Sequence, residues 1–303
     1  MSEPAASQQG AQDPSAATST TVGGASLWSD AWLELRKNPL FIISSLLIVV
    51  VLLMTFFPGL FTDIDPRDCS LSRSLQTPSS EHWFGTDLQG CDYYARTIHG
   101  ARASIVVGVT TVSIATVIAV TVGSLAGYYR RAVDALVSRL ADIFFAIPVV
   151  LAGLVLLPVL PERGTMEISL VLGLFGWPAM MRLMRSSVLS VAEADYVQAA
   201  RALGAQDGRI LRRHVLPNAI TPVIVYGTIF VGIVIAAEAT LTFLGVGLQL
   251  PSISWGLMIS LAQRRLLQAP HLLLFPGLFL SVTIFAFILM GDALRDALDP
   301  KLR

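Results

Sequence analysis

The sequence predicts an all-α, polytopic membrane protein with six transmembrane helices. Of its 303 residues, 54% are hydrophobic and only 14% are charged, whereas charged residues make up about 25% of an ordinary soluble domain. The apolar residues are also gathered into six long segments that polar sequence separates. A helix that crosses the bilayer core needs about 20 consecutive apolar residues. Each segment is near that length or exceeds it.

The six predicted spans are defined by their apolar composition. They comprise residues 40–61, 103–128, 143–160, 168–184, 218–246 and 272–290. The third and fourth are short and contain Pro148, Pro158 and Pro178. Because neighbouring helices can satisfy backbone groups that a proline leaves free, we expect that these two spans can be kinked.

The orientation follows from the basic residues between the spans. One side of the predicted bundle carries about twice as many Lys and Arg residues as the other. The richer side holds both termini and the segment 193–217, so the positive-inside rule places these in the cytoplasm. The protein is therefore expected to be a multi-pass protein of the cell membrane, with the lipid bilayer as its surroundings.

Composition also excludes several functions. The formal net charge is +0, which gives no reason to expect a nucleic acid partner. The only lysines are Lys37 and Lys301, and neither lies in a phosphate-binding loop, so any ATP must be hydrolysed on another chain. The four histidines show no spacing typical of metal ligands. We expect a non-catalytic chain that binds no cofactor or metal.

The N-terminal part divides into two predicted regions. Residues 1–26 are rich in Ser, Ala, Gln and Thr and contain no basic residue, which predicts a disordered cytoplasmic tail. Residues 27–61 begin with an aromatic, amphipathic stretch that includes Trp28 and Trp32. That pattern favours a short interfacial helix that leads into the first span.

The segment 62–102 is predicted to lie outside the cytoplasm. It contains both cysteines, Cys69 and Cys91, and disulfides form in oxidising compartments. We therefore expect a Cys69–Cys91 disulfide. We also expect it to brace an outer segment that meets another protein.

Residues 103–291 form the predicted five-helix core, in which Glu238 is the one acidic residue deep in an apolar span. An unpaired carboxylate in lipid is costly, so it should pair, be protonated or face the interior. One interpretation places Glu238 in a translocation path as a substrate contact or proton relay. The other is structural: hydrogen bonds to hydroxyl or backbone groups would join two helices.

The polar segment 193–217 interrupts the core with a distinctive sequence. Residues 196–203 predict a short helix, in which Ala199 and Ala200 leave one face nearly flat, and Gly204 can end that helix in the left-handed region. Such a compact projection can fit a cleft on another protein. A basic loop that merely follows membrane topology is the alternative.

Several motifs resemble a known family. Gln198-Ala199-Ala200, Gly204 and Leu216-Pro217 resemble the EAA loop of ABC-importer permeases, and residues 212–222, RRHVLPNAITP, narrow the resemblance to importers of dipeptides and oligopeptides. Residues 80–87, SEHWFGTD, and 291–300, GDALRDALDP, resemble the C-type subunit of that group. The family usually has Glu where this chain has Gln198, so no carboxylate role carries over to this position.

The resemblance implies a type I-like ABC importer permease fold and a permease subunit for di- or oligopeptides. Its implied partners are a homologous second permease, ABC ATPase subunits that carry ATP and Mg, and an extracytoplasmic substrate-binding protein. It also implies a short cytoplasmic C-terminal helix over 292–303, capped by Asp292. The residues implied to dock the ATPase are Tyr196, Gln198, Ala199, Ala200, Arg201, Leu203 and Gly204.

Three alternatives stay open from the sequence. Such families include nickel importers, so a metal chelate is an alternative substrate. A secondary transporter or channel would use Glu238 as its proton or ion site and would need no ATPase. A non-transporting scaffold would leave the segment 193–217 without a moving partner.

Overall fold

The computed structural model describes residues 32–298, and the regular elements in that part of the chain are helices. The predicted tail 1–26 lies outside the described residues, as do residues 299–303. The helices are α1 Pro39–Phe56, α2 Tyr93–Tyr129, α3 Arg131–Phe145, α4 Val149–Leu156, α5 Thr165–Val191, α6 Asp195–Ala202, α7 Asp207–Ile210, α8 Leu216–Ala219, α9 Thr221–Phe243, α10 Trp255–Ala262 and α11 His271–Leu298.

Within residues 32–298, five helices are long and apolar enough to cross a membrane: α1, α2, α5, α9 and α11. A sixth span forms if α3 and the following Val149–Val159 count as one broken crossing, with a bend of 72°. The break falls at Pro148, which stands at the N-cap of α4. Proline disfavours helical geometry in the residue before it, so the predicted third span, 143–160, cannot be straight.

Helix α2 begins ten residues before the predicted span at 103. The Asp92 side chain caps it, accepting a hydrogen bond from the Ala95 amide at 2.7 Å. Hydropathy misses this start because the first turns carry Arg96, His99 and Arg102. Since α2 has 37 residues, it is about 55 Å long at 1.5 Å per residue. It therefore extends well beyond a hydrocarbon core of about 30 Å.

The core of the bundle is the long contact between α2 and α5. Small residues permit their close approach: a Cβ on Gly123 would lie 2.9 Å from the Met181 carbonyl oxygen, and one on Gly127 would lie 2.8 Å from that of Arg185. Close backbone approach at small residues is typical of helices packed in lipid. Helices α9 and α11 pack beside this pair, and α1 packs on α11 and α2.

The two ends of the described chain meet in a small apolar cluster. Residues 32–35 are helical and place Leu35 against Ala293 and Ala297 of α11. Helix α11 runs without a break from His271 to Leu298, so the prediction that Asp292 caps a separate C-terminal helix is wrong. The helix continues through Asp292 because the residue before it, Gly291, is buried against Ile229 of α9.

Candidate docking site

The segment between α5 and α9 folds into short helices held to the bundle by two buried anchors. Val197 of α6 and Ile210 of α7 are both 0% exposed. Helix α6 ends before Gly204, whose φ of +81° is a conformation that residues with a Cβ rarely adopt. A turn of π-helix, Leu211–Val215, and α8 then lead into α9. The predicted helix–glycine pattern is therefore present in a rigidly anchored form.

The outer face of α6 is exposed in the described chain. The Leu203 side chain is 89% exposed and that of Tyr196 is 47% exposed. Ala199 is also exposed, and a Cβ on Gly204 would meet nothing within 4 Å. Small residues beside two bare apolar side chains form a surface suited to burial against another protein. We call this surface the docking face.

The amide of Gln198 has a local role. Its Nε2 donates a hydrogen bond to the carbonyl oxygen of Ala192 at 3.0 Å, which joins α6 to the end of α5. An ionised carboxylate has no proton to donate, so glutamate could not make this bond. Glutamine therefore stabilises the entry to α6 through a bond that the family's usual residue cannot form.

The segment is also tied to the junction of α2 and α3. The Tyr128 hydroxyl donates to Asp207 Oδ1 at 2.7 Å, and Arg130 Nη2 donates to Glu193 Oε1 at 2.8 Å. The Arg201 guanidinium lies 6.0 Å from the centre of the Tyr128 ring. Sequence reasoning missed these pairs because their members lie 79 and 63 positions apart and no local pattern joins them.

Helix α3 is linked in turn to α5. Arg185 pairs with Asp134 through two hydrogen bonds, and Arg182 Nη2 lies 2.9 Å from Asp142 Oδ1. The Arg182 guanidinium also lies 4.4 Å from the centre of the Phe145 ring. We call residues 193–217, between α5 and α9, the docking segment. A continuous set of polar contacts therefore runs from the docking segment through α2 and α3 to α5. We call it the junction network.

Glu238 lies away from the docking face, sealed inside the bundle. It is 0% exposed. Thr242 donates a hydrogen bond to its Oε1 at 2.9 Å, Ser254 to the same oxygen at 3.4 Å, and Ser104 to its Oε2 at 3.4 Å. These three hydroxyls belong to α9, the N-cap of α10 and α2, so the contacts favour the structural interpretation.

The segment 62–92, between α1 and α2, is folded onto the start of α2. Cys69 and Cys91 form a disulfide, and the buried His82 and Asp92 lie 2.8 Å apart. Phe84 stacks on Phe275 of α11 with ring centres 3.8 Å apart. Among residues 32–298, no cluster of three or more His, Cys, Asp or Glu side chains could hold a metal ion.

Family comparisons fit this membrane architecture. The model described as "Binding-protein-dependent transport system inner membrane component" matches residues 119–303. The model "N-terminal TM domain of oligopeptide transport permease C" matches residues 26–78. Fold and site thus define a polytopic transport subunit. The chain belongs to the family of inner membrane components of binding-protein-dependent transport systems.

Named relatives extend over nearly the whole chain. The oligopeptide transport system permease protein OppC of Bacillus subtilis is 39% identical over 303 residues, covering 100% of this chain and 97% of that protein. The dipeptide transport system permease protein DppC of Alkalihalophilus pseudofirmus is 38% identical, covering 91% and 90%. The glutathione transport system permease protein GsiD of Pectobacterium atrosepticum is 33% identical, covering 91% and 92%.

Solved structures support the fold. The inward-facing MetNI methionine ABC transporter matches with a TM-score of 0.56 at 20% identity, covering 67% of this chain and 96% of that one. An amino acid ABC transporter crystallised with histidines matches with a TM-score of 0.51 at 12% identity, covering 66% and 92%. The predicted all-α importer permease fold is confirmed, and the chain is the membrane subunit of an ABC transporter rather than its catalytic subunit.

Proposed function

We propose that this chain is the C-type membrane subunit of an ATP-driven importer of di- and oligopeptides. The observation that carries this proposal is its 38–39% identity, over nearly its full length, to permeases named for dipeptide and oligopeptide transport. A second permease would complete the translocation path, and an extracytoplasmic binding protein would deliver the peptide. ATP and Mg would be bound by partner ATPase subunits.

The docking face is the proposed contact with the ATPase. Tyr196 and Leu203 would supply apolar anchors, and the small side chains of Ala199 and Ala200 would let the partner approach α6 closely. Well-packed anchors surrounded by weaker contacts are typical of protein interfaces. The excess of basic residues supports a cytoplasmic position for this face and for both termini. The Cys69–Cys91 disulfide would brace the outer segment on the opposite side.

The junction network is the proposed route by which ATPase closure reaches the spans. Because α6 is anchored at Val197, a displacement of the docking segment would move Asp207 and Glu193 together. Their partners, Tyr128 and Arg130, stand where α2 turns into α3. A push on α6 would therefore change the angle between a core helix and the broken span. Movement of helices around a central path is the general solution in transporters.

Removing the Tyr128 hydroxyl should weaken this coupling. Tyr128→Phe keeps the ring under Arg201 but deletes the bond to Asp207. A hydrogen bond to a charged acceptor contributes about 1.5–3 kcal/mol, and exposure reduces this one to about 1 kcal/mol. We expect the number of peptides imported per ATP hydrolysed to fall roughly five-fold. The measurement is uptake and phosphate release in the same proteoliposomes.

The matched control is Tyr129→Phe, which removes a neighbouring exposed hydroxyl for which the described structure shows no hydrogen bond. It should behave as wild type. An equal loss of coupling in both variants, or none in Tyr128→Phe, would remove the Tyr128–Asp207 bond from the transmission route.

The proposed function is tested by reconstitution. The native complex would be placed in proteoliposomes that contain ATP, with its binding protein outside, and offered labelled peptides of two to five residues. ATP-dependent peptide uptake that survives collapse of the proton gradient supports the proposal. Uptake of a nickel chelate but of no peptide would show that the substrate is a metal chelate. Uptake without ATP would show that the chain is not part of an ATP-driven importer.

A further inference from the structure

A large cavity opens at the end of the bundle opposite the docking segment. Its volume is about 770 Å³. Its lining comprises the stretch 62–67 that follows α1 and a single face of α2 that includes His99, Arg102 and Val106. Gly59, Thr165, Ser252 and Ile253 complete the lining. From Arg102 to Tyr128, at the docking end of the same helix, the distance is about 39 Å at 1.5 Å per residue. The cavity and the docking face therefore lie at opposite ends of one rigid element.

Charged side chains of both signs line this cavity. Asp63 and Asp65 line it from the segment 62–92, while His99 and Arg102 line it from α2, with Arg67 beside the two aspartates. Arg67 and Arg102 are exposed, and within residues 32–298 no carboxylate lies in ion-pair distance of either guanidinium. Within the described residues, the two arginines therefore form no ion pair, and both line the cavity.

The tautomer of His99 leaves one ring nitrogen available to a ligand. Its Nδ1 lies 2.9 Å from the carbonyl oxygen of Ala95, and a carbonyl can only accept, so Nδ1 carries the proton. The Nε2 atom is then left to accept a hydrogen bond. A ligand in the cavity would meet this nitrogen together with the guanidinium three residues further along the same face of α2.

We propose that this cavity is a receiving site for a short zwitterionic peptide. The peptide carboxylate would pair with Arg102, with Arg67 in support, and the peptide ammonium would lie towards Asp63 and Asp65. A volume of about 770 Å³ falls within the roughly 300–1,000 Å³ of small-ligand sites. Guanidinium groups are well suited to carboxylates because they donate in a planar fork. The inference rests on the proposed peptide transport and adds a site within this chain.

The test compares a free peptide with its C-terminal amide. In the reconstituted complex, the best-imported peptide of the two-to-five-residue panel and its amide would be measured for wild type and for Arg102→Gln. Each variant-to-wild-type ratio cancels the preference of the binding protein. We expect Arg102→Gln to lower uptake of the free peptide about ten-fold and uptake of the amide by less than two-fold. Arg264→Gln, which removes an exposed arginine outside this cavity, should leave both ratios near one.

The outcomes separate this inference from the function on which it rests. Equal losses for free and amidated peptide would overturn the receiving site, since they would indicate a structural role or contact with the binding protein. Unchanged uptake by Arg102→Gln would overturn it as well. A wild-type complex that imports no peptide of the panel would instead contradict the proposed function itself. Loss of uptake in Arg102→Gln that is restored by replacing the membrane lipid would assign the cavity to a lipid headgroup.

Discussion

Leu203→Asp is expected to abolish both co-purification of the ATPase and ATP-driven uptake while leaving this chain folded. Leu203 is 89% exposed, so the isolated chain loses almost no packing when the side chain changes. In the complex, the new carboxylate would be buried in an apolar contact without a partner. Truncating a central interface anchor typically costs 2 kcal/mol or more, and an unpaired buried charge adds to that cost.

The measurement is the amount of ATPase retained on the affinity-tagged complex, together with the thermal stability of the chain in detergent. Leu267→Asp is the matched control, because Leu267 is 99% exposed at the opposite end of the molecule. It should retain the ATPase in full. Normal ATPase retention by Leu203→Asp would exclude the docking face from the contact.

Glu238→Gln is expected to preserve transport, and Glu238→Ala is expected to destabilise the protein by about 2–4 kcal/mol. A glutamine can accept from one hydroxyl and donate to another, so it keeps contacts across Ser104, Thr242 and Ser254. Alanine leaves these buried hydroxyls without their common partner and also leaves a cavity. The thermal midpoint should therefore fall clearly in Glu238→Ala alone.

The two substitutions distinguish the structural interpretation of Glu238 from a path or proton-relay role. A relay needs a group that ionises, so it requires that Glu238→Gln lose uptake at normal thermal stability. Uptake and the unfolding midpoint should be measured on the same preparations. A stable but inactive Glu238→Gln protein would return Glu238 to the translocation path.

Much of the architecture follows from local sequence. The apolar segments identify the spans because hydropathy reports directly on burial in lipid. Helix α6 follows from an Ala-rich stretch that ends at Gly204. The sequence also predicts that Glu238 pairs, is protonated or faces the interior, because an unpaired carboxylate in an apolar span is costly.

Other features depend on contacts between distant parts of the chain. The early start of α2 follows from the Asp92 cap and from packing that lets polar turns continue a helix outside the lipid. The sequence predicts that the third span can be kinked, whereas the 72° angle of the break also depends on how α3 packs against α5. The Tyr128–Asp207 and Arg130–Glu193 pairs have no sequence signature, because each residue alone resembles an ordinary surface group.

Purification of the chain from its native membrane in mild detergent, with its partners identified by mass spectrometry, would show whether it is a permease driven by a separate ATPase. We expect an ABC ATPase, a second six-helix permease and an extracytoplasmic peptide-binding protein in the purified material. Recovery of this chain alone, or only with further copies of itself, would contradict this expectation.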